Sequence, residues 1–208
     1  MSYRDQFALL GMRCVQQISL LKLWEQLRSK RELPQFEALA PDDISRSIDK
    51  LSFSEVVQTE CGYRFRIIQN GAQFDRMYSG RRVGKFLDEV LPEALRDQAL
   101  QFHEQVVVSR RPSFSFSMLR KADGPLIRYE RLLLPFTCNG RGVERIIGAI
   151  TLFTEENGFD SDDVLTGKLV GPKHLRNAIG AGFSHRRCAW RRALRAFSAG
   201  RLEVPLAG

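Results

Sequence analysis

The sequence is poor in cysteine and has no long apolar run, and each shortage excludes a class of protein. The four cysteines, at positions 14, 61, 138 and 188, are far apart and form no C-x-x-C pair. A disulfide scaffold and a cysteine-based metal site are therefore not expected. No apolar run approaches the roughly 20 residues that a membrane-spanning helix needs. The first residues carry an early acid, Asp5, and no small-residue cleavage pattern, so we expect no secretory signal and a soluble cytoplasmic protein.

Signatures of catalysis are missing as well. His103-Glu104 begins an H-E-x-x-H zinc motif, but Val107 stands where the second histidine is needed. Residues 80–85 are one residue too short for a phosphate-binding loop, and Phe86 replaces the Ser or Thr that should follow. No G-x-S-x-G motif is present. We therefore expect a protein that is not an enzyme and has no metal site.

The positive charge is concentrated at one end of the chain. Of 208 residues, 43% are hydrophobic and 27% charged, which is an ordinary globular balance. Residues 1–172 hold 24 Lys and Arg against 23 Asp and Glu, whereas residues 173–208 hold eight against one. The net charge of +8 therefore belongs almost entirely to the tail, and only the tail points to a nucleic acid or an anionic surface as a partner.

The pattern of apolar residues predicts an α+β fold. Tyr63, Phe65 and Ile67 alternate with arginines, which is typical of a half-buried strand. Helices are predicted at 14–29 and from Pro92 to Arg111, short helical turns at 71–90, and strands at 51–58, 63–68, 113–118, 125–136 and 145–153. The prediction is a five-stranded antiparallel sheet with crossing helices and an N-terminal flanking helix. The domain would span residues 14–154, after a segment 1–13 and before a linker and basic tail at 155–208.

This order of elements and the sequence motifs within it resemble a PAS domain, in particular the proteobacterial group in which the domain makes up nearly the whole protein. The matching segments follow one another in the order of that family over residues 15–154. They are Leu23-Trp24, Leu33-Pro34, Pro41-Asp42-Asp43-Ile44, Tyr63 to Ile68, Tyr78-Ser79-Gly80, Gly84 to Glu89, Arg111-Pro112, Arg128 to Pro135 and Ile147-Gly148-Ala149.

The resemblance implies a sensory or regulatory module that binds a small molecule between the sheet and the crossing helices. Such modules signal through a homodimer or a protein partner, often at flanking helices. The residues predicted to form the pocket are Phe65, Ile67, Phe74, Tyr78, Phe86, Phe102, Phe116, Tyr129 and Arg131. The residues predicted to meet a dimer mate or partner are Leu21, Trp24, Leu27, Trp190, Leu194 and Phe197.

The face of the fourth strand occupied by Arg131 is left open by the sequence. In one register Arg131 shares the inner face with Tyr129 and Leu133, and an anionic ligand or an internal acid must compensate its charge. In the other register Arg131 meets water while Leu132 and Leu134 are buried. Three consecutive leucines fit both arrangements.

The cofactor also stays unknown at this level. His103 lies on the long crossing helix, where haem-binding PAS domains carry their axial histidine. A surface or boundary position is nevertheless the expectation, because His103 flanks the apolar stripe of that helix by about 80° on a helical wheel. A flavin photoreceptor would need a reactive cysteine within residues 70–90, and that stretch has none. Haem and flavin are both disfavoured.

The tail has the pattern of a short basic amphipathic helix. Trp190, Leu194 and Phe197 fall on one face, and arginines fall on the other. Such a helix could lie on an anionic membrane surface, dock its apolar face on this protein or on a partner, or contact nucleic-acid phosphates. The alternative without a binding function is a docked or partly disordered extension. A protein partner is preferred because both faces are then used. The alternative for the whole chain is an adaptor with a filled pocket, whose tail binds a membrane surface or nucleic acid.

Overall fold

The structure is a computed structural model that describes residues 11–77, 80, 82–120, 126–154, 168–169 and 176–179. The predicted tail contacts at Trp190, Leu194 and Phe197 lie outside these residues. Within the described part of the chain, no helix combines the length and apolar character required to cross a membrane.

The elements alternate as the sequence predicts, with bounds that differ by one or two residues in most cases. The helices are α1 (Val15–Arg28), α2 (Pro41–Ile44), α3 (Ala72–Met77), α4 (Leu87–Val90) and α5 (Glu93–Ser109), with 3-10 turns at Phe36–Ala38 and Ile48–Lys50. The strands are β1 (Leu51–Thr59), β2 (Gly62–Asn70), β3 (Ser113–Arg120), β4 (Leu126–Phe136), β5 (Arg145–Thr154), β6 (Lys168–Leu169) and β7 (Arg176–Ile179).

The main sheet has the spatial order β2-β1-β5-β4-β3, and all its neighbours are antiparallel. The prediction of a five-stranded antiparallel sheet is confirmed. The chain crosses from β2, at one end of this five-strand order, to β3, at the other end, through α3, α4 and α5, which we call the roof. The short strands β6 and β7 pair antiparallel with the outer edge of β3.

Both faces of the sheet are covered within the chain. The roof lies over one face, and α1 lies across the other, where the indole N–H of Trp24 donates a 2.7 Å hydrogen bond to the carbonyl of Pro135 in β4. Leu132, Leu133 and Leu134 are therefore all buried, although alternate side chains of a strand point to opposite faces. This arrangement explains why three consecutive leucines occur in β4.

The packing of α1 bears on the predicted partner contacts. Leu21 and Trp24 are 0% and 1% exposed, because both pack against the sheet of their own chain, while Leu27 is half-buried against the same core. Partner contact by the first two side chains would thus require α1 to leave the sheet. Val15, on the outer side of the helix, is 74% exposed.

Gly71 fixes the point at which the chain leaves β2 for the roof. Its amide donates a 2.8 Å hydrogen bond to the carbonyl of Leu51. A Cβ atom at this position would lie 2.1 Å from the carbonyl oxygen of Ile48, so only glycine fits beside that backbone. The roof is thereby held at a fixed distance from the start of β1.

Candidate functional site

A cavity of ≈50 Å³ lies between the sheet and the roof. The floor is formed by the inner faces of three adjacent strands, and α4 and α5 form much of the cover. The floor residues are Ser52, Ser54, Tyr129, Arg131, Leu133, Gly148 and Ile150. The volume is about a third of an engineered cavity of about 150 Å³ that holds a benzene ring. This volume is enough for a small guest.

Small residues are part of the cavity lining. Gly148 in β5 lies directly between Ser52 of β1 and Leu133 of β4 in the sheet register. A Cβ atom at Gly148 would be 3.5 Å from a methyl carbon of Leu133, an ordinary contact. A side chain at position 148 would thus be tolerated by its neighbours and would occupy cavity space. Ala99 of α5 contributes a second small residue from above.

Arg131 lines this cavity, so the register that places it on the inner face is the one the structure adopts. The residue is 5% exposed. The guanidinium carbon lies 4.6 Å from the ring centre of Phe102 and 5.9 Å from that of Tyr129. A second guanidinium, that of Arg82, also lines the cavity and donates a hydrogen bond to the carbonyl of Val90. The described lining residues include no Asp or Glu.

His103 lies in the cavity wall and is 7% exposed, so the expected surface or boundary position is wrong. Its Nδ1 is 2.7 Å from the carbonyl oxygen of Ala99, one helical turn earlier. Because a carbonyl only accepts, Nδ1 carries the proton, and Nε2 is the acceptor nitrogen of the neutral ring. Burial, and to a lesser extent the Arg131 cation, lower the pKa of His103 to about 3, against the opposing effect of the Ala99 hydrogen bond. His103 is therefore neutral across the physiological range.

Four of the residues predicted for the pocket are brought together in the cavity wall: Ile67, Phe74, Tyr129 and Arg131. Two others are buried next to it without lining it. The ring of Phe65 lies 5.0 Å from that of His103, and the ring of Phe102 lies under the Arg131 guanidinium. Tyr78 lies outside the described residues.

Phe86 and Phe116 lie elsewhere, which corrects their predicted position in the pocket. Phe86 is half-buried, and the Arg64 guanidinium stacks on its ring at 3.7 Å. Phe116 is on the α1 side of the sheet, where the guanidinium of Arg128 lies 4.2 Å from its ring centre. The alternation in β3 was predicted correctly, but the inner face carries the serines. Ser117 donates a 3.2 Å hydrogen bond to Gln98 of the roof.

The prediction missed the polar residues of the wall, among them Ser52, Ser54, Gln98 and His103. A signal for one of them was present, because Leu95, Ala99 and His103 recur at intervals of four along α5 and therefore share one side of the helix. The serines of β1 carried no such signal, since a buried serine and an exposed one look alike in a strand. Across the described residues, no three His, Cys, Asp or Glu side chains converge in a way that could hold a metal ion.

Comparison with known proteins agrees with this architecture. A family model described as a PAS domain matches residues 12–151, which is more than half of the chain. A comparison with curated proteins finds no match to the sequence. PAS domains are in general sensory or regulatory modules rather than catalysts, and they commonly mediate dimerisation or contact with a partner. With its antiparallel sheet, its helical roof and the matched span, the chain belongs to the PAS domain family.

Proposed function

We propose that this protein senses a small ligand in the cavity between sheet and roof and passes the change through α1 to a dimer mate or partner. One observation supports the proposal most strongly. The cavity wall combines apolar side chains with a nearly buried cation, Arg131, and a buried neutral imidazole, His103. A mostly apolar pocket with a few convergent polar groups is the usual form of a small-molecule site.

The path to α1 runs through β4. Tyr129 and Arg131 face the cavity, and Glu130 between them faces α1. The Glu130 carboxylate accepts a 2.6 Å hydrogen bond from the Nε of Arg128, and Arg128 in turn donates a 2.8 Å bond to the carbonyl of Gly11, ahead of α1. A displacement of β4 by a ligand would therefore reach the segment that leads into the helix.

Gln17 gives α1 a second polar connection to the sheet. The residue is 1% exposed, and its Nε2 donates hydrogen bonds to the carbonyl of Ala149 at 3.1 Å and to the hydroxyl of Thr151 at 3.3 Å. Both acceptors are in β5, the strand that also carries Gly148 and Ile150 of the cavity floor. Buried hydrogen bonds of this kind depend on geometry, so a shift in β5 changes how α1 is held.

The proposal is tested by filling the cavity. Native mass spectrometry of gently purified protein would look for a bound small molecule, and a library of small compounds would be screened by thermal shift. We expect Gly148→Val to abolish any binding that the wild type shows, while Gly142→Ala, with nothing within 4 Å of the new Cβ, leaves it unchanged. Undiminished binding by a folded Gly148→Val protein would place the ligand elsewhere and refute the proposed site.

The relay is tested separately. Gln17→Leu removes the amide donors but keeps an apolar helix face, so ligand should still bind. In the wild type we expect ligand to change amide hydrogen exchange in α1, and in the variant we expect this change to shrink. An equal response in both proteins would show that the Gln17 contacts do not transmit the signal.

The charge asymmetry supports a second candidate, the adaptor whose basic tail binds a membrane surface or nucleic acid. The last 36 residues hold eight Lys and Arg against one Glu. Polybasic segments near a surface contribute about 1 kcal/mol per cation to binding of anionic lipid. Replacing Arg186, Arg187, Arg191, Arg192 and Arg195 by Gln in the full chain would abolish binding to anionic vesicles or to RNA if the tail has this role. Binding that survives these changes would argue against the adaptor.

A further inference from the structure

We infer that the ligand of this cavity is a small neutral hydroxyl compound that donates a hydrogen bond to Nε2 of His103. The inference rests on the proposed function, because it names the chemical class of the molecule that the same cavity would take.

The two ring nitrogens of His103 are in different situations, and this is the first argument. Nδ1 donates its proton to the carbonyl oxygen of Ala99 at 2.7 Å, so Nε2 carries a lone pair and can only accept. Among the residues that the structure describes, none donates a hydrogen bond to Nε2. Because His103 lines the cavity and is only 7% exposed, a guest in the cavity is the natural source of that donor.

The surroundings of the ring disfavour a charged guest. A carboxylate has no proton to donate to Nε2 and would place a negative charge next to its lone pair. A cation would meet the same conditions that lower the pKa of His103, namely burial and the positive charge of Arg131 in the same wall. The guest that suits Nε2 is therefore neutral and carries a hydrogen-bond donor.

The rest of the wall favours a hydroxyl group on a short apolar body. Ser54 lines the cavity, and no described residue forms a hydrogen bond with its hydroxyl, which can therefore donate to a guest. A hydroxyl group is both a donor and an acceptor, and so matches a wall that offers an acceptor and a donor. Leu95, Leu133 and Ile150 provide apolar surface for a hydrocarbon part, and a volume of ≈50 Å³ limits the guest to a few non-hydrogen atoms.

The test compares a donor with a non-donor of similar shape on the full chain. 2-Propanol and acetone have the same carbon skeleton, but only the alcohol can donate. Each is titrated into nitrogen-15-labelled protein and followed by NMR. We expect 2-propanol to bind about 10-fold more tightly than acetone, because acetone leaves the buried acceptor unpaired. The Nε2 resonance of His103 should shift with 2-propanol and stay in place with acetone.

Variants locate the effect at the ring. His103→Phe removes the acceptor, keeps a ring beside Phe65 and should abolish the preference for the alcohol. Val108→Phe places the same ring at a position of the same helix that is 51% exposed, and the preference should persist. His174→Gln and His185→Gln together leave His103 as the one histidine of the chain. Its Nε2 resonance can then be followed without ambiguity, which also covers the case in which His103→Phe does not fold.

The outcomes separate this inference from the proposed function. Equal affinity for 2-propanol and acetone, a preference that persists in His103→Phe, or an Nε2 resonance that 2-propanol leaves unchanged overturns the hydroxyl inference and leaves a small-molecule pocket in place. Lack of any binding of 2-propanol also overturns it. If, in addition, no compound binds in a manner sensitive to Gly148→Val, the proposed function falls as well.

Discussion

Burial of a neutral His103 should make the protein progressively less stable as the pH falls below the pKa of a free histidine. The residue is 7% exposed, its ring donates through Nδ1 to a helix carbonyl, and its pKa in the folded state is lowered to about 3. In the unfolded chain the pKa returns to about 6.5. Between these two values the unfolded state binds a proton that the folded state excludes, so protonation favours unfolding. The contribution of His103 is complete above pH 6.5 and is lost as the pH falls towards 3.

The magnitude follows from the same two values. Each pH unit well inside this window changes the free energy of unfolding by about 1.4 kcal/mol per group. Because the loss begins gradually near pH 6.5, His103 alone should account for about 2 kcal/mol between pH 8 and pH 5. His103→Phe removes the titrating group and keeps a ring beside Phe65, so its unfolding free energy should lack this part of the decrease.

The assay is urea denaturation of both proteins, followed by circular dichroism, at half-unit steps from pH 8 to pH 5. Glu55, Glu89 and Glu144 have lowered pKa values in the folded state, so their contributions are lost mainly below this range. The histidines at positions 174 and 185 are common to both proteins and cancel in the comparison. If wild type and His103→Phe lose the same free energy between pH 8 and pH 5, His103 is not buried as a neutral ring and our reasoning is wrong.

Three further changes probe the framework that positions the cavity, each measured by chemical denaturation. Gly71→Ala should lower the free energy of unfolding by about 1–3 kcal/mol, because the new methyl group meets the backbone of the preceding 3-10 turn. Gly142→Ala should be nearly neutral, and equal effects of the two changes would contradict the close approach of Gly71 to that backbone. Trp24→Phe should lower the free energy of unfolding by about 1–3 kcal/mol, because the carbonyl of Pro135 in β4 loses the hydrogen bond from the indole. A smaller loss would mean that water replaces the indole as donor. Arg128→Met should lower the free energy of unfolding by about 3 kcal/mol or more, because the fully buried carboxylate of Glu130 loses its cation. The double variant with Glu130→Met should recover part of this loss, and no recovery would show that the two residues do not interact.

The helices and strands of the fold could be predicted from local sequence patterns. The alternation of Tyr63, Phe65 and Ile67 with arginines defined a strand, and the stripe of Leu95 and Ala99 defined a helix ending near a proline. These signals arise from the periods of two and 3.6 residues, which are properties of the backbone and appear in any amphipathic element. The resemblance to PAS domains was seen in the order of such elements together with a few turn residues, and the family model that matches residues 12–151 agrees with it.

The lining of the cavity was harder to predict from the sequence, because its polar residues follow no periodic pattern. The inner face of β3 is formed by serines rather than by the phenylalanines that hydrophobicity favours, and this became visible only with α1 covering the other face. His103 was expected at a boundary, yet the sheet below and Phe65 beside it exclude water from its ring.

The sequence alone determined which segments are helices and strands, their order, and thus the family, because these depend on local periodicity and turn chemistry. The tertiary structure decided which face of each strand is inner and which residues share a cavity. Both faces of β4 are buried, so hydrophobicity could not distinguish them, and only the packing of α1 and α5 on opposite sides assigned Arg131 to the cavity and Glu130 to the helix.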